Sequence, residues 1–350
     1  MSGKRAATAL ASLVAVGVFL WLVKVGANAF LGEYGRRLLL AWGINSVLAV
    51  SLNLINGHTG QFSLGHAGFM AVGAYTGALV ALSHPEGFAF IPGRPGICLW
   101  VGALLLAAGS AAALAGALVA VPTFRLRGDY LAIATLGFGE VIFVILLNLR
   151  QTGGATGLGG IPEYTTVVLT FGVLALAVVT VKNLVASRFG RAFACIREDE
   201  AAAEAVGINT TKYKILAFTV GAFFAGTAGS LFALHEIFMV PSSFRFMKSV
   251  EIVIMCVLGG TGSSTGAILG AGVLTFLPEW LRLKERLHLS VDPRMMVFSA
   301  LLVVVMLVRR QGILGSRELS FSGIGALAAR ARPRVAAGSR GTGRGRERGG

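Results

Sequence analysis

The chain has 350 residues, of which 55% are hydrophobic and 13% are charged, and it carries a formal net charge of +15. A soluble domain carries about 25% charged residues, so the composition argues against a soluble domain and indicates a protein of the lipid bilayer. The location of the charge argues against nucleic-acid binding, because residues 309–350 hold ten arginines and two glutamates and so account for +8 of the +15.

A membrane-spanning helix needs about 20 mostly apolar residues, and the chain contains ten candidate segments. They lie at 8–23, 38–55, 62–82, 97–121, 131–149, 165–181, 214–236, 247–260, 266–280 and 295–308. The eighth and ninth are short and broken by glycines, and together they could form one span plus a re-entrant piece. The sequence therefore predicts an all-α polytopic membrane protein with eight to ten transmembrane helices, in one transmembrane domain over residues 1–310.

The first segment has two interpretations. Lys4 and Arg5 precede an apolar run, and Ala27, Asn28 and Ala29 resemble a signal-peptide cleavage site. The run is long for a signal peptide, and Lys24 lies before the site. These features favour an uncleaved anchor.

Lysine and arginine concentrate on the cytoplasmic side of membrane proteins and so predict the orientation. Lys4 and Arg5 place the N-terminus inside. Ten spans then place further basic groups inside: Arg125 with Arg127, the 182–213 loop, and Arg309 with Arg310. Some basic residues fall outside and weaken this pattern without reversing it: Lys24, Arg36, Arg37, Arg94 and Arg150. Both termini are expected in the cytoplasm.

A polar break rich in glycine separates the second and third apolar segments. It contains Asn53, Gln61 and Ser63, and His66 follows it. Broken helices at membrane depth are tolerated where they line a cavity, and transporter sites use such breaks. These four residues are therefore candidates for a transport site.

Glycines spaced four apart predict close packing between helices, because they place bare backbone along one helix face. One series is Gly73 and Gly77, and the other is Gly262, Gly266 and Gly270. The second series overlaps GGTGSSTG at 259–266, a break that is loosely similar to the first one.

Glu140 lies near the middle of the 131–149 segment. A charged group inside a span is costly and indicates function by default; the alternative is a paired or protonated buried carboxylate. Glu236 and Glu251 lie nearer the ends of their segments, where water lowers the cost. A proton relay would need more such groups, so transport driven by a proton gradient alone is not favoured.

Residues 183–213 contain the longest polar stretch between spans. Ala192 to Val206 is predicted to be a helix, with Gly207 as its C-terminal stop. Its charged surface comprises Arg197, Glu198, Asp199, Glu200 and Glu204. Such a helix, held at the membrane by flanking basic groups, can dock into a partner's groove, and an ordinary amphipathic loop is the alternative.

Enzyme and metal motifs are incomplete. GGTGSSTG is not followed by the Lys-Ser/Thr of a phosphate-binding loop, and His235-Glu236 lacks the second histidine of a zinc protease because position 239 is Met. Ser63 and His66 have no evident orienting acid for nucleophilic catalysis. Cys98, Cys195 and Cys256 form neither a disulfide framework nor a metal site. We expect no catalytic residue, no metal and no cofactor bound by this chain.

Residues 311–350 are rich in Gly, Ala, Ser and Arg and have little to bury, which predicts a disordered basic tail. Its expected role is to set topology and to attract anionic lipid. RNA binding is not favoured.

Several stretches, taken together and in this order, resemble the permeases of branched-chain amino acid ABC transporters, and specifically their LivM-like partner. They are LNLINGHTGQFSLGHAGFMAVGAYTGALV (52–80), RLRGDYLAIATLGFGEVI (125–142), TGGATGLGGIP (152–162), GRAFACIREDEAAAEAVGINTTKYKILAF (190–218) and SVEIVIMCVLGGTGSSTGAILGA (249–271). The second stretch favours the LivM-like partner over its LivH-like sibling.

The resemblance implies an importer in the bacterial cytoplasmic membrane. A LivH-like sibling permease would complete the translocation path, two cytoplasmic ATPase subunits would bind and hydrolyse ATP-Mg, and an extracytoplasmic binding protein would deliver the substrate. The 190–213 segment would couple to the ATPase through Arg197, Glu198, Asp199, Glu204 and Gly207. Its Glu200-Ala201-Ala202 is similar to the EAA motif of ABC importers, with one extra residue before the glycine and without the later proline. The path would involve Asn53, Gln61, Ser63, His66 and Glu140.

Other functions remain open from the sequence. A related ABC permease for urea, short amides or aromatic acids shares the glycine motifs. A stand-alone secondary transporter or channel is disfavoured by the coupling segment, for which a free carrier has no need. A membrane enzyme lacks a set of catalytic residues.

Overall fold

The computed structural model describes residues 32–84, 94–124, 126, 128–280, 312, 313 and 315. The predicted spans at 8–23 and 295–308 lie outside the described residues, as does most of the predicted tail.

The described residues form ten α-helices, and no named strand occurs among them. The helices are α1 Glu33–Asn53, α2 His66–Ser83, α3 Arg94–Thr123, α4 Asp129–Asn148, α5 Val167–Ala186, α6 Arg188–Glu198, α7 Glu200–Ala205, α8 Thr210–Glu236, α9 Phe246–Gly259 and α10 Ser264–Trp280. A π-helical turn, Leu54–His58, continues α1, and short 3-10 helices form at Arg150–Thr152, Gly154–Thr156 and Pro241–Phe244.

Six helical segments in the described part of the chain are long and apolar enough to cross a membrane. They are Glu33–His58, His66–Ser83, Gly96–Thr123, Tyr130–Asn148, Val167–Ala186 and Thr210–Glu236. They confirm the second to seventh predicted spans, with boundaries shifted by a few residues, because long apolar runs can satisfy their backbone polar groups only within a helix. The chain is therefore an all-α polytopic membrane protein.

The eighth and ninth predicted spans are two helices, α9 with 14 residues and α10 with 17 described residues. They pack against each other, because a Cβ on Gly259 would overlap the carbonyl of Gly266 and one on Gly270 would overlap the carbonyl of Met255. Between them, Gly260 and Gly262 adopt φ values of +120° and +90°, which favour glycine. This glycine turn reverses the chain.

The centre of the bundle is formed by α2, α3 and α8. A Cβ on Gly73 in α2 would overlap the backbone of Gly226 in α8, and a Cβ on Gly226 would overlap Ala112 in α3. In lipid, helices gain little from hiding apolar side chains and associate by such close backbone contact.

Helix α1 lies between α5 and α10. The ring of Trp42 meets Phe171 of α5 and Phe276 of α10 edge to face, at 5.6 Å between centroids in each case. Trp42 Nε1 also donates a hydrogen bond of 3.1 Å to the carbonyl of Ile268 in α10.

The order of the helices places their connections at two ends of the bundle. Residues 187–209 connect α5 to α8 at one end, the near end, where α1 finishes and α2 begins. At the other end, the far end, residues 149–166 and 237–240 pair through a bridge in which Leu158 and Met239 exchange backbone hydrogen bonds of 2.9 and 3.0 Å. The turn between α3 and α4 lies at the near end, with residues 187–209.

The start of the predicted tail contacts the bundle. The backbone amide of Ile313 donates a 2.8 Å hydrogen bond to the carbonyl of Leu258 at the end of α9. A Cβ on Gly312 would lie 2.6 Å from the backbone of Gly260. The chain is therefore held at the glycine turn before the basic tail continues.

Candidate functional site

The two helix breaks meet at the near end. Asn53 Oδ1, at the end of α1, accepts hydrogen bonds from the amide of Gly262 at 2.9 Å and from Cys256 Sγ at 3.4 Å. A Cβ on Gly57 would overlap both Asn53 Oδ1 and the amide nitrogen of Gly262. The π-helical turn and the glycine turn are thus packed backbone to backbone, with Asn53 joining them.

The predicted path residues of the first break are all buried. His66 Nε2 lies 2.8 Å from Ser51 Oγ, and the amide of Ser63 donates to Asn56 Oδ1 at 3.2 Å. Several of their side-chain atoms are buried without a hydrogen-bond partner: Asn53 Nδ2, both amide atoms of Gln61, Ser63 Oγ and His66 Nδ1. A buried polar atom without a partner costs about 1–3 kcal/mol. This break therefore retains unusual hydrogen-bonding capacity.

Arg197, the penultimate residue of α6, connects residues 187–209 to both breaks. Its Nη1 donates to the carbonyl of Gly57 at 3.4 Å and lies 3.7 Å from the Cβ position of Gly262. A Cβ on Gly60 would lie 2.8 Å from Arg197 Cγ. Glu198 Oε1 accepts from Arg197 Nη2 at 2.9 Å and holds the guanidinium in place.

Helix α7 is fastened to α8 by its acidic residues. Glu200 forms a 2.6 Å ion pair with Lys214 in the first turns of α8, and the Lys214 side chain is only 4% exposed. Glu204 Oε1 accepts a 2.8 Å hydrogen bond from Thr210 Oγ1. These contacts set the angle between the coupling segment, which we define as α6 and α7, and the bundle.

The prediction of a single helix from Ala192 to Val206 was wrong. Asp199 has extended backbone angles, and its carboxylate caps α7 by accepting from the amides of Ala201 and Ala202 at 2.9 and 3.0 Å. Aspartate is a preferred N-cap residue, so it begins a new helix here. Gly207 does end this helical stretch, with φ at +86° and open space around its Cβ position.

The coupling segment has one face against the bundle and one free face. Phe193 and Ile196 are buried, and the ring of Phe193 lies 6.4 Å from that of Tyr213 in α8. On the free side, Ala201 and Ala202 are exposed and Val206 is 76% exposed. This surface of small apolar residues, bordered by the exposed Glu198, is suited to contact another protein.

Glu140 lies apart from the first break, at the start of α9. It is half-buried, and its Oε1 accepts a 3.2 Å hydrogen bond from the amide of Phe246, the first residue of α9. Nearby, the Arg245 guanidinium lies 5.3 Å from the centre of the Phe143 ring. Arg245 could not be singled out from the sequence, because a full-length eighth span would have placed it at the membrane surface.

The packing glycines occupy helix contacts, with one exception. A Cβ on Gly77 would overlap Ser230 in α8, and Gly266 and Gly270 lie between α9 and α10. The prediction was wrong for Gly262, which lies in the turn before α10 and has a positive φ. Four-residue spacing alone cannot show where a helix begins.

The family model for the permease component of branched-chain amino acid transport systems matches residues 36–306. The chain belongs to this family. The matched region includes both helix breaks, the coupling segment and α9, so the family assignment covers every part of the candidate site.

Individual members of this permease family are similar to the chain over most of its length. The high-affinity branched-chain amino acid transport system permease protein LivM of Escherichia coli is 35% identical over 303 residues, covering 77% of this chain and 67% of the relative. A probable branched-chain amino acid transport permease protein LivM of Methanocaldococcus jannaschii is 26% identical over 81% of this chain and 93% of the relative.

The LivH protein of Escherichia coli, also a permease protein of a high-affinity branched-chain amino acid transport system, is 37% identical over 134 residues, or 38% of this chain and 42% of the relative. The similarity to LivM is more than twice as long, so this permease is LivM-like.

No solved structure matches the chain. Within its described residues, no group of three or more His, Cys, Asp or Glu side chains could hold a metal ion.

Proposed function

We propose that this chain is the LivM-like permease subunit of an ATP-driven importer for branched-chain amino acids in a bacterial cytoplasmic membrane. It forms half of the translocation path, and a LivH-like sibling forms the other half. Two cytoplasmic ATPase subunits bind ATP-Mg and supply the energy, and an extracytoplasmic binding protein delivers the amino acid. The chain itself is not an enzyme and binds no cofactor.

The observation that supports coupling to an ATPase is the position of Arg197. The free face of the coupling segment is available to a partner, while Arg197 at the end of α6 contacts the carbonyl of Gly57. The ion pair between Glu200 and the buried Lys214 ties α7 to α8, so a movement of the segment reaches the bundle. A carrier that works alone has no need for this arrangement.

The mechanism follows from these connections. Closure of the ATPase dimer moves the coupling segment, and Arg197 and the Glu200–Lys214 pair transmit the movement to the two breaks and to α8. The permease pair then exchanges its opening between the two faces of the membrane. Asn53, Gln61, Ser63 and His66 lie in the first break, where their unpaired atoms offer polar contacts to a passing group.

The near end of the bundle faces the cytoplasm in this proposal. It contains the coupling segment, whose basic residues include the exposed Arg188, Arg191 and Arg197. The positive-inside rule favours this side for such groups. The arginine-rich tail is proposed to lie on the same side of the membrane, where its charge would attract anionic lipid.

Uptake of radiolabelled leucine tests the cargo and the energy source together. Cells that lack the chain are compared with cells in which it is restored, with and without depletion of ATP, and urea and benzoate are measured in parallel. We expect restored leucine uptake that requires ATP. If urea or benzoate uptake is restored and leucine uptake is not, the substrate is not a branched-chain amino acid. If uptake does not depend on ATP, the protein is not part of an ABC importer.

A further inference from the structure

Helix α9 begins halfway between the two ends of the bundle. Its first residue is capped by Glu140, which lies about 12–17 Å from either end of α4 at the helical rise of ~1.5 Å per residue. Lys248 Nζ lies 3.5 Å from Asn45 Oδ1, and Asn45 is about 18–20 Å from either end of Glu33–His58. Phe244, just before α9, contacts the ring of Tyr75 in the middle of α2. Three separate helices thus place this start at mid-depth.

Four charged side chains surround this point. Glu140 caps the helix, Arg245 lies over Phe143, and Lys248 forms a 3.0 Å ion pair with Glu251. Lys248 and Glu251 are three residues apart and share one side of α9. Arg245 is the N-cap residue just before the helix, and we refer to these three residues as the charged stripe. This stripe is accessible at the surface of the chain, since Arg245 is exposed and the side chains of Lys248 and Glu251 are 20% and 39% exposed.

Such a stripe cannot face lipid tails. Charged side chains at mid-depth are expensive in hydrocarbon and are found facing a bundle interior or a water-filled cavity. Glu251 therefore differs from the sequence expectation that it lies near a span end in contact with water. Its helix starts inside the membrane, so this carboxylate lies at mid-depth.

We propose that Glu140, Arg245, Lys248 and Glu251 form a binding site for the ammonium and carboxylate groups of an amino acid as it crosses the membrane. This inference rests on the proposed function and identifies where the zwitterion is held. The charged groups of such a substrate need compensation at this depth, and this stripe carries both signs of charge at the surface of the chain.

The carboxylate of the substrate binds Arg245. No carboxylate in the described part of the chain lies within ion-pairing distance of its guanidinium, whose planar fork matches a carboxylate. The ammonium binds Glu251, which uses Oε2 for Lys248 and keeps Oε1 available. The apolar side chain of the substrate meets Phe246 and Met247, which are 40% and 75% exposed.

Binding of radiolabelled leucine to the purified permease–ATPase complex, without the binding protein, tests the site. Leucinol lacks the carboxylate and 4-methylpentanoate lacks the ammonium, so each loses one charge-assisted hydrogen bond, and we expect each to compete at least tenfold more weakly than leucine. Arg245→Ala should abolish the advantage of leucine over leucinol. Glu251→Gln should abolish its advantage over 4-methylpentanoate.

Arg37→Ala, at an exposed arginine near the start of α1, is the matched control and should keep both preferences. Arg245→Gln repeats the test if Arg245→Ala lowers the yield of the complex. Unchanged preferences in Arg245→Ala and Glu251→Gln would overturn the site while leaving the proposed function intact. Dissociation of the two permeases in either variant would also overturn it, because the stripe would then be a subunit contact. Absence of leucine uptake by the unaltered transporter in cells would overturn both proposals.

Discussion

Single residues determine how closely the helices of this permease approach. At Gly73 the neighbouring atoms are the backbone of Gly226, and these cannot move aside as the end of a flexible side chain can. The four-residue spacing of Gly73 and Gly77 indicated a contact face from the sequence, but it did not identify the partner. Only the folded chain shows that the partner is α8, because the two helices are more than 100 residues apart.

Gly73→Leu should strongly destabilise the bundle. The new side chain would force α2 away from α8, and overpacking of this kind costs about 1–3 kcal/mol or more. Gly102→Leu is the control, because Gly102 also lies in a membrane-spanning helix and has no atom within 4 Å of its Cβ position. The midpoint of thermal unfolding in detergent measures the difference. Equal midpoints for the two variants would contradict the contact.

Charged residues of the coupling segment have roles that their spacing did not reveal. Glu204 and Asp199 are predicted to contact the ATPase, and in the folded chain their carboxylates also bind Thr210 and the start of α7. Lys214 was not singled out from the sequence, although it is the buried partner of Glu200. A charge pattern shows that a surface is polar, and it does not distinguish a docking group from a cap or an internal ion pair.

At the scale of elements, the coupling segment was predictable in existence and approximate position. A long polar stretch between two apolar runs is a strong local signal, and Gly207 marked its end. The break at Asp199 was missed because aspartate is tolerated within a helix and only its capping geometry reveals a new start. The contact between Arg197 and Gly57 spans 140 residues, which no local pattern encodes.

Arg197→Ala should uncouple transport from ATP hydrolysis. The substitution removes the contact with Gly57 and leaves the buried face of α6 and the Glu200–Lys214 pair in place, so the ATPase should still associate. We expect at least a fivefold loss of leucine uptake, in line with ~1 kcal/mol for one hydrogen bond, with ATP hydrolysis retained in reconstituted vesicles. Arg191→Ala, an exposed arginine on the same helix, is the control. If Arg197→Ala takes up a normal amount of leucine for each ATP hydrolysed, Arg197 does not transmit the movement of the coupling segment to the bundle.

At the scale of the whole molecule, ten apolar runs predicted spans, and the six from the second to the seventh are membrane-crossing helices in the described part of the chain, because length and hydropathy are local properties. The depth of α9 was not predicted, because it depends on contacts with α1, α2 and α4. From the sequence, residues 247–260 were predicted to be a span with its charged residues near the membrane surface. In the folded chain, the same residues place Lys248 and Glu251 at mid-depth, on the surface of the chain.

The orientation of the molecule can be measured with its own cysteines. Cys195 is exposed on α6 at the near end, whereas Cys256 is buried. A membrane-impermeant maleimide should therefore label Cys195 in inside-out vesicles and spare it in intact cells. Cys98, near the start of α3, is also exposed and can react. The Cys195→Ser variant is therefore the control, because any label that it takes up is not on Cys195. Labelling of Cys195 in intact cells would reverse the orientation.

The hairpin of α9 and α10 has a consequence for how the protein is made. With 14 residues, α9 is shorter than the roughly 20 residues that a bilayer requires, so it is a poor substrate for insertion by itself. The glycine faces of the two helices fit each other at Gly259 and Gly266, and Asn53 of the already synthesised α1 binds the turn between them. Biogenesis of this region is therefore expected to wait until residue 280 has left the ribosome, when both helices enter the membrane together against an existing scaffold.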